Sequence, residues 1–267
     1  MNHGFGNMKN FINGMYKNSS GPYSELAVIY DSLMDHVDYS SWAKYISSIF
    51  ERFTSGVVNV LEIAGGTGSL SVELHKYGYS MTCMDYSHSM LKSAVKKFYK
   101  ASMPLNIITA NMTSLPLNFH YDAVLCLYDS INYLIKPEDF IRTLHEVASI
   151  LTDDGIFVFD VCTVKNSELF FRDTSMVEHI DDIVCERICK FNRRKRIQEN
   201  HFILERPGQK KIKESHYQKI YMLDEIGEMI SDSPFIELSR FDDTSFVYGT
   251  EESERVHFVL RKRVLTQ

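Results

Sequence analysis

The chain has 267 residues and a mass of 30.9 kDa, enough for one large domain, or a domain with a sizeable insertion, around a substantial core. Hydrophobic residues at 44% and charged residues at 24% are ordinary for a globular protein, and the net charge of −6 gives no general reason to expect nucleic acid as a partner. No apolar run approaches the ~18 residues of a membrane span and the N-terminus lacks a basic-then-apolar signal, so a cytoplasmic protein with no membrane partner is expected.

Residues 1–24 are rich in Gly, Asn, Ser and Met, with Phe5, Phe11, Met15 and Tyr16 interspersed. They read either as a loose leader or as a lid that folds aromatics over a substrate. The spacing of Leu26, Ala27, Ile29, Tyr30 and Leu33 predicts a helix over Ser24–Met34, capped by Ser24, and a second amphipathic helix follows through Phe53. Val58–Ile63 is a β-branched apolar run of the kind a buried parallel strand requires. It carries Glu62 near its end, bends through Ala64, Gly65, Gly66, Thr67 and Gly68, and opens into helical spacing over Ser69–Lys76. A strand, a glycine turn and a helix N-terminus make a cradle for a nucleotide-like ligand.

The second strand, Tyr79–Met84, ends at Asp85, 17 residues beyond Gly68. Dinucleotide folds place the acid that holds a ribose diol at about that distance. Asp85 also starts the turn into a helix over Ser87–Lys100, with Ser87 as its N-cap. A third strand, Leu105–Thr109, leads to Asn111 and Met112, the latter either base-stacking or core filler. The fourth, Tyr121–Leu127, gives way abruptly to Tyr128-Asp129-Ser130-Ile131-Asn132-Tyr133-Leu134. This string lies where ligands bind in a doubly wound sheet; otherwise it is an Asx-capped turn into a Pro137–Leu151 helix. Leu151–Gly155 reads as the turn before a fifth strand, Ile156–Val161.

Residues 162–220 then alternate in strand-like segments, Val177–Lys190, Arg196–Glu205 and Lys211–Tyr221, with turns at Asn192–Lys195 and Pro207–Gln209. They predict an antiparallel sheet laid over the carboxyl end of the main sheet. Asp181–Lys219 holds 11 Lys/Arg and 6 Asp/Glu. The run Arg193–Arg196 reads as a solvated turn, with RNA or an acidic partner as the alternative. Glu214, His216 and Gln218 fall on one strand face, toward solvent or toward a wet pocket. A helix at Leu223–Met229 and strands at Phe235–Phe241 and Arg255–Arg263 close the chain. The five cysteines include no C-x-x-C pair, so buried free thiols are expected and a metal site is not.

Glu62-x-Ala64-x-Gly66-x-Gly68 followed by Asp85 resembles the S-adenosylmethionine (SAM) site of class I methyltransferases. A nicotinamide fingerprint fits less well, because its last glycine position is Ser71. The resemblance implies an α/β fold, a Rossmann-like doubly wound class I methyltransferase sheet with an inserted antiparallel β subdomain. It divides the chain into residues 1–24 (leader or lid), 25–161 (SAM-binding core), 162–221 (insertion over the active site) and 222–267 (remainder of the core).

By the same resemblance Asp85 holds the ribose, Glu62 the methionyl amino end, and Gly65, Gly66 and Gly68 allow close approach. Tyr86, Met90, Met112 and Leu127 complete the cofactor site. Two positions depart from the family: Ala64 stands where Gly is commoner, and Asn111 where Asp usually accepts from the adenine amino group. Tyr30-Asp31-x-Leu33-Met34, Val37-Asp38-Tyr39-x-x-Trp42 and Asp129-Ser-x-Asn-Tyr-Leu134 further resemble a bacterial small-molecule and natural-product subgroup. In that subgroup this first segment covers the SAM pocket, which adds Tyr30 and Trp42 to the site.

The implied activity is N-methylation of an amine on a small metabolite or a short modified peptide, with Asp129, Tyr133 and His216 as candidate proton acceptors. The aromatic leader, Trp42 and the inserted sheet also resemble enzymes that methylate the N-terminal amine of azole-containing peptides. Alternatives are an RNA or protein methyltransferase using the basic hairpin, and a SAM-binding regulator without turnover.

Overall fold

The structure, a computed structural model, describes residues 23–263; nearly all of the segment expected to be a leader or lid lies outside the described residues. In chain order, β1 (Asn59–Ile63), β2 (Ser80–Asp85), β3 (Ile107–Thr109), β4 (Tyr121–Cys126) and β5 (Leu151–Cys162) begin the main sheet. β6 (Thr174–Ile180), β7 (Ile183–Asn192), β8 (Ile197–Glu205) and β9 (Ile212–Lys219) form a second sheet, and β10 (Phe235–Asp242) and β11 (Arg255–Lys262) return to the first. The main-sheet order is β10-β11-β5-β4-β1-β2-β3, parallel from β5 to β3 and antiparallel at β11 and β10. The order reverses between β1 and β4, so a crevice opens beyond their carboxyl ends, where such sheets bind ligands.

Helices cover both faces, because strands buried on both sides need two apolar partners. Alternate residues of the central strands go to opposite sides. Val60, Leu125 and Val158 meet α2 (Tyr39–Phe53), α3 (Ser69–Lys76) and α4 (His88–Lys100), whose Ile46, Phe50, Leu74 and Phe98 are buried. Leu61, Val124, Phe157 and Phe159 meet α5 (Pro137–Ile150) and α7 (Leu223–Ser231) through Phe140, Leu144 and Ile226. Each such side chain contributes about 1.5–3 kcal/mol by leaving water. The caps are local: Asp38 accepts from the Ser41 N–H, and the Ser87 hydroxyl from the Met90 N–H, as expected for Ser87.

The second sheet is an antiparallel meander, β6-β7-β8-β9. Asn132 ties it to the first: its amide donates to the Lys219 carbonyl at 2.7 Å and its oxygen accepts from the Cys162 N–H at 3.1 Å.

Three expectations need correction. Ser24–Met34 is not one helix but a 3-10 turn (Leu26–Val28) and a single helical turn, α1 (Tyr30–Leu33). The Glu214 carboxylate accepts from the Glu25 and Leu26 N–H groups, and Leu26 and Ile29 bury against Ile183, Phe202 and Leu204, so docking on the second sheet overrides the helical stripe. The segment Val177–Lys190 contains a hairpin, because Asp181 takes a left-handed φ of 52° and turns the chain between Ile180 and Ile183. A short helix, α6 (Val164–Phe170), capped by Thr163, precedes that sheet where only strands were expected. In addition β5 starts at Leu151, ahead of the expected turn. All five cysteines are free and buried, and no helix among the described residues is long and apolar enough to cross a membrane.

Candidate functional site

The loop after β1 is held by contacts a side chain would destroy. A Cβ on Gly65 would meet the Cys83 sulfur at 2.7 Å, and one on Gly68, at φ +73°, would meet the Phe98 ring at 2.7 Å. Gly68 thus seats α3 on α4. Ala64 adopts φ 55°, a left-handed conformation that costs a residue with a Cβ about 1–2 kcal/mol. Beneath the loop Glu62 is buried, and its carboxylate accepts from the Ser71 hydroxyl at 2.5 Å. Burial, with Asp85 nearby, pushes the Glu62 carboxyl up to about 7 against the pull of Ser71 and Lys97. Asp85 accepts from the Gly66 N–H at 2.9 Å and the Ser87 N–H at 2.7 Å, and burial still raises its pKa against those bonds.

A clasp sets α1 over this loop. Asp31 accepts from the Thr67 hydroxyl and from Lys97, each at 2.6 Å, which brings Tyr30 against the crevice. Trp42 of α2 packs on Tyr128 and His257, with ring centroids at 5.6 and 5.3 Å, and the Arg255 guanidinium lies over it at 5.7 Å.

Two hollows meet at the crevice. A recess of about 50 Å³ is lined by Tyr30, Trp42, Glu62, Ala64, Gly65, Gly66 and Leu127 among others. A cavity of about 1100 Å³ extends from Ala64, Gly66, Asp85, Tyr86, Met90, Asn111 and Met112 to Asp129, Tyr133 and His216. Of the residues singled out from sequence, only Gly68 lines neither hollow. The Asn111 oxygen already accepts from the Thr113 N–H at 3.0 Å, a local turn that uses one of its two acceptor sites.

The wall opposite the glycine loop comes from the β4 loop and the second sheet. Tyr128 and Asp129 both take left-handed φ, 60° and 51°, a strain that persists only where the surroundings fix it. They do so here: Asp129 pairs with Arg255 at 2.8 Å and with Gln218 at 2.5 Å, and its N–H donates to Asp160 at 2.9 Å. Arg255 also holds Asp160, so one guanidinium sits between the buried Asp160 carboxylate and the half-buried Asp129 carboxylate. Burial pushes Asp129 up in pKa while Arg255 pulls it down.

Beside this triad the Glu214 carboxylate binds His216 Nε2 at 2.6 Å, Tyr133 binds His216 Nδ1 at 2.9 Å, and Tyr23 binds Tyr133 hydroxyl to hydroxyl at 2.7 Å. His216 therefore faces a pocket, the second of its two alternatives. Against burial, bonds from His216 and from the Glu25 and Leu26 N–H groups hold Glu214 below the usual carboxylate range.

Sequence reasoning missed Tyr23, Tyr39, Arg187 and Arg255. Arg255 carried a signal, a charge at the head of a final strand whose centre, Phe258–Leu260, is apolar. In the basic turn Arg193 pairs with Glu168 and Arg196 with Glu225.

Residues 60–155 match the family described as "Methyltransferase domain". A Bacillus subtilis protein provisionally assigned as a methyltransferase is 29% identical over 90% of this chain and 97% of its own length. A glycine/sarcosine N-methyltransferase from Halorhodospira halochloris is 31% identical over 49% of this chain, half of that enzyme's length. The structure of an S-adenosylmethionine-dependent methyltransferase from Clostridium acetobutylicum, 21% identical, superposes with a TM-score of 0.79, covering 91% of this chain and 100% of that one. The switch-point crevice, the glycine loop with its following carboxylate, and the match over residues 60–155 converge: the chain is a SAM-dependent methyltransferase of the class I fold.

Proposed function

We propose that the enzyme methylates an amine nitrogen of a small acceptor, and that the relay Tyr23–Tyr133–His216–Glu214 in the cavity wall is the observation that carries this reading. The residues present suit SAM. Glu62 is a buried carboxyl with no cation against it among its hydrogen bonds, fit for the methionyl ammonium. Asp85 keeps free lone pairs for the ribose hydroxyls, and Met90 and Met112 offer apolar surface to the adenine.

Bound SAM supplies a sulfonium methyl already activated for in-line displacement, so the protein's part is to orient the acceptor and exclude water. An amine attacks only through a free lone pair, and the proton it sheds needs a destination. With Glu214 taking the Nε2–H of His216, Nδ1 is left to accept from Tyr133, whose oxygen accepts from Tyr23. A proton leaving the acceptor nitrogen moves to Tyr23 as the Tyr23 proton passes to Tyr133 and the Tyr133 proton to His216, forming an imidazolium paired with Glu214. Asp129, held by Arg255 and Gln218, orients the amine rather than carrying its proton.

The amine specificity of the glycine/sarcosine relative supports an amino acceptor, and the cavity volume leaves room for a peptide N-terminus as well as a metabolite. The test is calorimetric titration with SAM and S-adenosylhomocysteine, then methyl transfer from labelled SAM to amino acids, amino sugars, azole-containing peptides and catechols. Transfer to amines, with a loss of kcat of about 10²-fold or more in Tyr133→Phe at unchanged SAM affinity, is expected. Transfer confined to oxygen acceptors, or Tyr133→Phe at full rate, overturns the reading.

A further inference from the structure

The inward face of the second sheet carries one cation that the relay and the Arg255 triad do not use. Arg187 projects from the middle of β7 into the cavity. Its Nε and Nη2 donate to one neutral acceptor, the Asn200 side-chain oxygen, at 3.3 and 3.0 Å. Its guanidinium lies over the rings of Phe171 and Phe202, at 5.2 and 5.5 Å. Among the described residues no carboxylate lies within ion-pair distance of it. Arg255, the other arginine among the described residues lining this cavity, is paired twice.

The placement is specific in three ways. Asn200 is itself buried and accepts from the Cys189 thiol too, so two of the three guanidinium nitrogens are pinned on a buried neutral oxygen while Arg187 lines the cavity. The two aromatic faces lower the local dielectric and sharpen any charge pairing. The guanidinium also lies near enough to Tyr23 and Tyr133 that its positive charge pulls both hydroxyls down in pKa, against their burial. An anion held by Arg187 would therefore sit beside the amine that the relay serves. Glu178, on the neighbouring strand, lines the same cavity and disfavours a second anion near itself.

Building on the N-methylation reading, we infer that Arg187 is a specificity-determining residue that binds an oxyanion, a carboxylate or phosphate, carried by the acceptor a few bonds from its amine. The acceptor class is then zwitterionic: an amino acid, or an amino alcohol phosphate, rather than a simple amine. The planar fork suits two-point contact with either group.

The experiment compares matched acceptors on the wild-type enzyme, glycine with glycinamide and phosphoethanolamine with ethanolamine, and then repeats the set on Arg187→Leu and Arg187→Lys. The wild type should prefer the anionic member of one pair, and that pair identifies the group. In Arg187→Leu the KM for that acceptor should rise about 10- to 100-fold with SAM affinity unchanged, and Arg187→Lys should recover part of it. Equal use of charged and neutral members by the wild type, or an unchanged KM in Arg187→Leu, sinks the inference and leaves amine methylation standing. A parallel titration of the S-adenosylhomocysteine complex with N-acetylglycine, which has no amine to methylate, reads the anion site alone. Arg187-dependent binding there without transfer to any amine would reject N-methylation and keep the site.

Discussion

In the proposed donor site, Glu62 is the residue where stability and SAM binding would oppose each other. Its carboxyl titrates at about 7 in the folded chain against an ordinary 4.5. Below pH 4.5 both states hold the proton. Between the two values only the native state does, so stability falls as pH rises, and above about 7 the penalty is complete, up to about 3 kcal/mol. Glu62→Gln should therefore raise the urea midpoint at pH 8, raise it far less at pH 5, and weaken SAM by about 10- to 100-fold. An ammonium arriving beside Glu62 would reverse the preference for the neutral form. SAM binding near pH 6 should then release a proton, seen as buffer-dependent heat in calorimetry. A second residue is strained without a visible return: Ala64 at φ 55°. Ala64→Gly should stabilise the fold by about 1 kcal/mol, a rise in Tm of about 2–4 °C. The sequence exposed Ala64 as a departure from its family, yet only the backbone reveals that the departure falls on a left-handed position.

Elements were legible where local pattern and tertiary packing agree. The glycine loop into Ser69–Lys76, the Ser87 cap and the central strands follow directly from periodicity and turn chemistry. The stretch Ser24–Met34 was not, because its helical stripe competes with a carboxylate 189 residues beyond Glu25. Periodicity cannot see a partner at that distance, nor does an Asp-Asp turn stand out within a long strand-like run. The anchoring by Glu214 gives its own expectation. Glu214→Ala would strand His216 Nε2 and the Glu25 and Leu26 N–H groups, and should cost about 3 kcal/mol in urea unfolding. Glu214→Gln, which keeps one acceptor oxygen, should cost roughly half of that. An Ala variant as stable as the wild type would mean that water replaces the carboxylate.

At the scale of the molecule the proposed donor and acceptor halves come from different parts of the chain. Glu62, the glycine loop and Asp85 lie within one βαβ stretch, so their pattern was visible as a contiguous motif. The proposed acceptor wall joins Tyr23, Tyr128–Tyr133, Arg187, Gln218 and Arg255, five segments that meet only when both sheets are in place. Each residue type is commonplace alone, and only the topology makes them neighbours. For the same reason changes on the inward face of β7–β9 should alter acceptor choice without moving SAM affinity, whereas Asp85→Ala should weaken SAM by about 10- to 150-fold.

The Glu214 anchor turns three backbone amides into reporters. The N–H groups of Tyr23, Glu25 and Leu26 all end on that one carboxylate, and none is part of a regular ladder. Their exchange with deuterated solvent therefore times the undocking of this segment from the second sheet, separately from the slower opening of the main sheet. Any acceptor that fills the space beneath Tyr23 would slow those three together, so occupancy of the cavity can be followed on the clock of hydrogen exchange even when nothing is methylated.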